Sequence, residues 1–186
     1  MLLLLSQYFR SKSSFWLGIP LTFHYLCPIM KVVLIVVGKT TDKHLIHLIN
    51  EYAERIGHYL PFDLEVIPEL KNTKSLTADQ QKEREGELIQ RQLREGDWVV
   101  LLDEAGRQFR SVEFASYIEK KHTQAARRLV FIIGGPYGFS SAIYALAKEK
   151  ISLSQMTFSH QMVRLFFVEQ LYRAMTILRG EPYHHE

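Results

Sequence analysis

Gly134-Gly135-Pro136-Tyr137-Gly138 follows directly on the apolar run Leu129–Ile133. Three glycines and a proline at the end of a buried strand mark the kind of turn at which open α/β sheets hold ligands. Without a Cβ, a glycine lets its backbone N–H and C=O groups approach a bound molecule closely. Taken alone, the segment equally fits a tight strand-to-helix turn with no ligand. Downstream, Leu153-Ser154-Gln155-Met156-Thr157-Phe158 mixes hydroxyls with apolar side chains. Such a loop suits an adenine held by backbone hydrogen bonds and packed by apolar groups, although by itself it also reads as a strand with a polar end. His160 follows, a side chain that titrates near neutral pH, and a lone histidine is more often structural than catalytic. Arg164, Arg173 and Arg179 lie on or beside a long helical stretch at Val163–Leu178. They are cations suited to phosphates or to developing negative charge.

Other chemistries lose support. Gly38-Lys39-Thr40 follows a strand, but the earlier glycine of a phosphate loop is replaced by Val33. No G-x-G-x-x-G fingerprint follows any strand, so a nicotinamide or flavin cofactor is not expected. The tail Pro182-Tyr183-His184-His185-Glu186 carries two adjacent histidines. Neighbouring histidines seldom converge on one ion without further ligands, so no metal is expected. Cys27 is the single cysteine, which leaves neither a disulfide within the chain nor a cysteine-based zinc site.

The elements that must position these residues alternate in an α/β pattern. Strands are expected at Lys31–Val37, around Phe62, Leu64 and Val66, at Trp98–Leu102, Leu129–Ile133 and Ile151–Leu153. Asp103–Gly106 reads as a loop. Helices are expected around Leu45–Ile56, over 77–94, 111–121 and 141–148, and at Val163–Leu178. Thr77-x-x-Gln80 has the spacing of a capping box. The helix it opens is so heavily charged that it reads as exposed and weakly anchored. Val163–Leu178 has the opposite character, with too many apolar residues for one stripe, which suggests packing on its own domain and on a partner subunit.

With 186 residues, 47% hydrophobic and 12% aromatic, the chain is long enough for one globular domain. A net charge of +3 is too small to establish a nucleic-acid partner. Residues 1–29 form a leader of different character. Leu2–Leu5 precede Arg10 and Lys12, the wrong order for a signal peptide. The run from Phe15 to Ile29, broken by Pro20 and Pro28, is too short to span a membrane. The expectation is a disordered or upstream-start leader, with Met30 as the working start and residues 30–186 as the single domain. A cytoplasmic setting without a membrane fits best.

Together, LLDEAG at 101–106, IIGGPYGFS at 132–140, LSQMTFSHQMVR at 153–164, EQLYRA at 169–174 and the terminal PYHHE resemble the ribosomal RNA large-subunit methyltransferase H family of the SPOUT superfamily. The resemblance runs from Met30 to Glu186. It implies an α/β domain with a mostly parallel sheet flanked by helices and a C-terminal trefoil knot, assembled as a homodimer. It also implies S-adenosylmethionine as methyl donor, with contacts on Leu102, Gly134, Leu153, Ser154, Gln155, Met156, Thr157 and Phe158. The catalytic and RNA-facing positions fall on His160, Arg173, Tyr183 and His185, and the partner is 23S rRNA in the assembled ribosome. The implied reaction methylates N3 of a pseudouridine in a stem-loop. Aligning donor and base and accepting the N3 proton are its physical demands, with His160 or His185 as acceptor and Arg173 as a source of positive charge. In this family the residue before the final glutamate is usually Arg or Lys, whereas here it is His185. A non-catalytic RNA-binding module on the same fold is the alternative, and the intact 134–138 and 153–158 segments argue against it.

Overall fold

The computed structural model of the chain describes residues 30–124 and 127–184. The leader, including Cys27, and the site residue His185 lie outside these. Five strands and five α-helices alternate: β1 (Lys31–Val37), α1 (Lys43–Gly57), β2 (Phe62–Ile67), α2 (Ala78–Gln90), β3 (Trp98–Arg107), α3 (Ser111–Thr123), β4 (Arg128–Ile133), α4 (Ser141–Leu146), β5 (Glu149–Ile151) and α5 (Met162–Arg179). The strands form one sheet in the order β2-β1-β4-β3-β5, and every pairing is parallel.

Parallel strands covered on both faces are continuous apolar runs, as β1 and β4 are. Val32, Leu34, Val36, Leu129, Phe131 and Ile133 join one core with α1, α3 and α5. Val33, Ile35, Val37, Val130 and Ile132 join a second, which includes Ile89 of α2 and Ile143 of α4. Local chemistry sets the helix starts. Asp42 accepts from the backbone of His44 at 2.9 Å and Leu45 at 3.0 Å. The Thr77–Gln80 capping box closes in both directions at 3.0 and 3.2 Å.

Three expectations need correction. First, β5 occupies Glu149–Ile151, not Ile151–Leu153. Its charged residues fit an edge strand, where Glu149 accepts from the Trp98 indole at 3.1 Å and pairs with Lys121. Second, Asp103–Gly106 lies inside β3 as a bulge, because Ile151 is opposite both Leu102 and Arg107. A Cβ on Gly106 would sit 2.5–2.7 Å from the Ile151 backbone, so glycine permits the sheet to resume beyond the bulge. Third, α2 is docked: Glu85, Gly86 and Ile89 are buried, and a Cβ on Gly86 would meet Ser140 Oγ at 2.5 Å. α5 lies between α1 and α3, with Phe167, Val168, Leu171 and Ala174 buried and Phe166 left 38% exposed.

Candidate functional site

At the bulge of β3 and the carboxyl ends of β4 and β5, three segments border a cavity of about 530 Å³. They are Leu102–Ala105, Ile133–Phe139 and Ser152–Phe158. Of the expected cofactor contacts, Leu102, Gly134, Leu153, Ser154, Met156, Thr157 and Phe158 border it. Gln155 sits on the same loop but is not part of the lining. The turn over β4 is tight: Gly138 N–H donates to the Gly135 carbonyl at 3.1 Å, with Gly138 at φ +83°. Gly134 is buried within it, and a Cβ there would come within 3.0 Å of the Phe139 ring.

The wall facing this turn is acidic. Asp103 accepts from the Tyr144 hydroxyl at 2.5 Å and from the Ala105 backbone at 2.8 Å. Burial, and then the neighbouring Asp103, push the Tyr144 phenol up to about 12. Sequence reasoning missed both residues as a site pair. Asp103 had a visible signal as the acid at the end of a strand, whereas Tyr144, on α4, meets it only through the fold.

His160 stands on the rim of this cavity and of a second one beside it. Burial, and then the Arg164 charge, hold its imidazole below the usual histidine range, against a hydrogen bond to the Gly134 backbone that raises it. With one ring nitrogen donating to that carbonyl, a neutral imidazole keeps its other nitrogen free to accept a proton.

The remaining expected residues lie elsewhere. Arg173 donates to Glu169 Oε1 from Nε at 3.1 Å and from Nη2 at 2.6 Å. Tyr183 donates to the same oxygen at 3.1 Å, lies 3.2 Å from the Tyr52 hydroxyl and packs its ring 4.7 Å from the Arg173 guanidinium. Burial, with the Tyr52 hydrogen bond and Glu169, raises the Tyr183 phenol well above its ordinary value. An α-helix rises 1.5 Å per residue, which separates Arg173 from the first residue of α5 by roughly 16 Å. Within one chain, therefore, the structure joins His160 to the cavity but not Arg173 or Tyr183.

Among the described residues, no group of three or more His, Cys, Asp or Glu is placed to hold a metal ion. No helix among them is long and apolar enough to cross a membrane. A family model described as a predicted SPOUT methyltransferase matches residues 30–184. Proteins named ribosomal RNA large subunit methyltransferase H match over 157 residues, covering 84% of this chain and all of each relative. Those from Bacteroides fragilis, Parabacteroides distasonis and Porphyromonas gingivalis are 67%, 60% and 54% identical. A much looser likeness, at TM-score 0.46 and 12% identity over 78% of this chain and 95% of the other, links it to a crystal structure of a probable methyltransferase from Bordetella pertussis. With the family model spanning the whole described domain and relatives matched end to end, the chain belongs to the SPOUT methyltransferases and, among them, to the ribosomal RNA large subunit methyltransferase H family.

Proposed function

We propose that this chain transfers a methyl group from S-adenosylmethionine to N3 of a pseudouridine in a 23S rRNA stem-loop on the assembled ribosome. The observation that carries the reading is the cavity built by Leu102–Ala105, the 134–138 turn and the 152–158 loop, with His160 on its rim. Its chemistry fits the donor. Leu102, Ile133, Leu153 and Phe158 offer apolar surface for an adenine, Ser154 and Thr157 offer hydroxyls, and Asp103 and Glu104 favour a cation. The volume lies within the usual range for small-molecule sites, about 300–1,000 Å³. Relatives named as ribosomal RNA methyltransferases support the rRNA substrate.

When bound, S-adenosylmethionine supplies an electrophilic sulfonium methyl and departs as a neutral thioether. This chain's residues do the rest. The N3–H bond breaks with its proton passing to the free nitrogen of His160, and the N3 electron pair forms the new bond to carbon. The 134–138 backbone and the 153–158 loop orient the donor, since alignment itself lowers the barrier.

The cluster of Arg173 and Tyr183 is too far along α5 to act at the cavity of its own chain. We infer that the protein works as a homodimer in which a second copy brings this cluster, and the tail with His185, to the RNA at the cavity. A protonated His185 would supply the charge that an Arg or Lys supplies at this position in the family. The C-terminal trefoil knot is part of the same proposal.

Mass spectrometry of 23S rRNA from a deletion strain tests the reading, and the expected result is loss of one methylated pseudouridine. An unchanged nucleoside profile overturns it. Light scattering tests the assembly, which fails if a stable monomer methylates ribosomes.

A further inference from the structure

Asp103 carries a charge on the cavity wall that the local fold does not need. Where β3 bulges away from β5, its Oδ1 accepts from the Ala105 backbone at 2.8 Å and its Oδ2 from the Tyr144 hydroxyl at 2.5 Å. The first is the short-range bond with which either an aspartate or an asparagine closes a turn. The second can run in either direction, because a tyrosine hydroxyl accepts as well as donates. An asparagine would therefore make both bonds, its carbonyl taking the Ala105 N–H and its amide donating to Tyr144. The carboxylate adds only its charge.

Among the described residues no Lys or Arg forms an ion pair with the half-buried Asp103. Lys150 comes near, 5.5 Å from the centre of the Tyr144 ring, without pairing with the carboxylate. The cavity lining includes two acids, Asp103 and Glu104, and no Lys or Arg, although the whole chain has a net charge of +3. His160 on the rim does not offset them, since its surroundings favour the neutral ring. A charge drawn partly out of water is normally matched by an opposite one. Where the protein supplies none, a wall of one sign in a cleft of low dielectric concentrates ligands of the other sign.

We propose that Asp103 makes the cavity discriminate by charge, so that it holds the cationic methyl donor and releases the spent product. The inference rests on the functional reading above and assigns one residue the order of affinities. In the transfer, the bond from methyl carbon to sulfur breaks and leaves its electron pair on sulfur, while deprotonated N3 supplies the pair for the new bond. The sulfonium charge disappears in that step, and the product S-adenosylhomocysteine differs from the donor only by the lost methyl and the lost charge. A pocket that read the methyl by shape alone would be indifferent to the charge on Asp103. Two unit charges a few ångströms apart in a half-exposed site attract strongly enough to shift a binding constant by about tenfold or more. The donor therefore gains from the Asp103 carboxylate an attraction that ends once its methyl has gone.

The test is calorimetric binding to the full chain of three ligands: S-adenosylmethionine, S-adenosylhomocysteine and sinefungin, which carries a protonated amine in place of the methylated sulfur. All three share the adenosine and the amino-acid end, so their differences isolate the charge at the sulfur position. The native protein should bind both cations more tightly than the neutral product. Asp103→Asn should weaken S-adenosylmethionine and sinefungin about tenfold and leave S-adenosylhomocysteine within about twofold. Asp103→Ser, whose hydroxyl can close the same turn, serves if the asparagine protein melts below the assay temperature. Equal weakening of all three ligands in a folded variant would mean that Asp103 holds a group they share, and it overturns the inference. Sinefungin following the product instead of the donor overturns it as well, because the methyl and not the charge is then what is read. Either result leaves the methyltransferase reading standing. A native protein that binds none of the three overturns that reading and the inference with it.

Discussion

The two ends of α5 use the same kinds of side chain in opposite ways. At its start, Arg164 is buried with an unpaired Nε–H, and His160 just before it keeps a nitrogen free beside two cavities. Toward its end, Arg173, Glu169, Tyr183 and Tyr52 hydrogen-bond one another. A satisfied network rigidifies the fold, whereas buried groups without partners are held ready for a ligand at a cost in stability. Substituting His160 at the first end should therefore change chemistry at little cost in folding, whereas substitution in the second network should cost stability together with any contact the cluster makes to RNA across a dimer.

Replacing His160 with Ala gives the sharpest test of that division. With the proton acceptor removed, the single-turnover methylation rate should fall about 10²- to 10⁴-fold, while calorimetric donor binding stays near native. A rate within threefold of native would move the general base elsewhere. Glu169→Ala addresses the other end. It leaves the Arg173 guanidinium and the Tyr183 hydroxyl without their shared acceptor, and partly buried groups stripped in this way cost about 1–3 kcal/mol. For a protein of this size that is a fall of several degrees in Tm. An unchanged Tm would show that the network adds nothing to the fold.

A smaller effect comes from pH. Burial and the Arg164 charge hold His160 below the ordinary imidazole value, and in the proposed mechanism only the neutral ring can accept the N3 proton. Single-turnover rate should therefore be lost as pH falls through that lowered pKa, at a pH below the roughly 6.5 of a free histidine. An acid limb at or above 6.5 would contradict this environment. RNA affinity has to be followed separately, since protonation of His185 acts on binding in the opposite direction. Tyr52→Phe should have the smallest effect. It removes one hydroxyl contact at the rim of the Tyr183 network, and about 0.5–1 kcal/mol with unchanged kinetics is expected. A larger loss would make that contact the keystone of the C-terminal cluster.

Much of the candidate cavity was legible in the sequence because its pieces are local. The turn at 134–138, the 153–158 loop and the strand end at Leu102 each carry their signal within a few neighbours, and six of eight cofactor positions come from one continuous loop. Gln155 fell outside the lining because neighbouring side chains on a loop point in different directions, which residue type does not reveal. Glu85 escaped notice for a related reason. In a helix as charged as α2, one glutamate looks like any other until the sheet places it against Gly135.

Strand runs, helix starts such as the Thr77–Gln80 box, and the apolar alternation that divides β1 between two cores follow from the sequence by itself. Short-range sterics and hydrogen bonding govern them, and both act over a few residues. Only the tertiary structure decided that Tyr144 meets Asp103, that Asp103–Gly106 bulges from β3, that Glu85 and Arg164 border one cavity, and that Arg173 stands far from His160 in the same chain. Each of these depends on which strands lie side by side and on which face each helix packs. Chain segments far apart in sequence settle that order jointly, by burying apolar surface, and no local pattern of residues records the outcome.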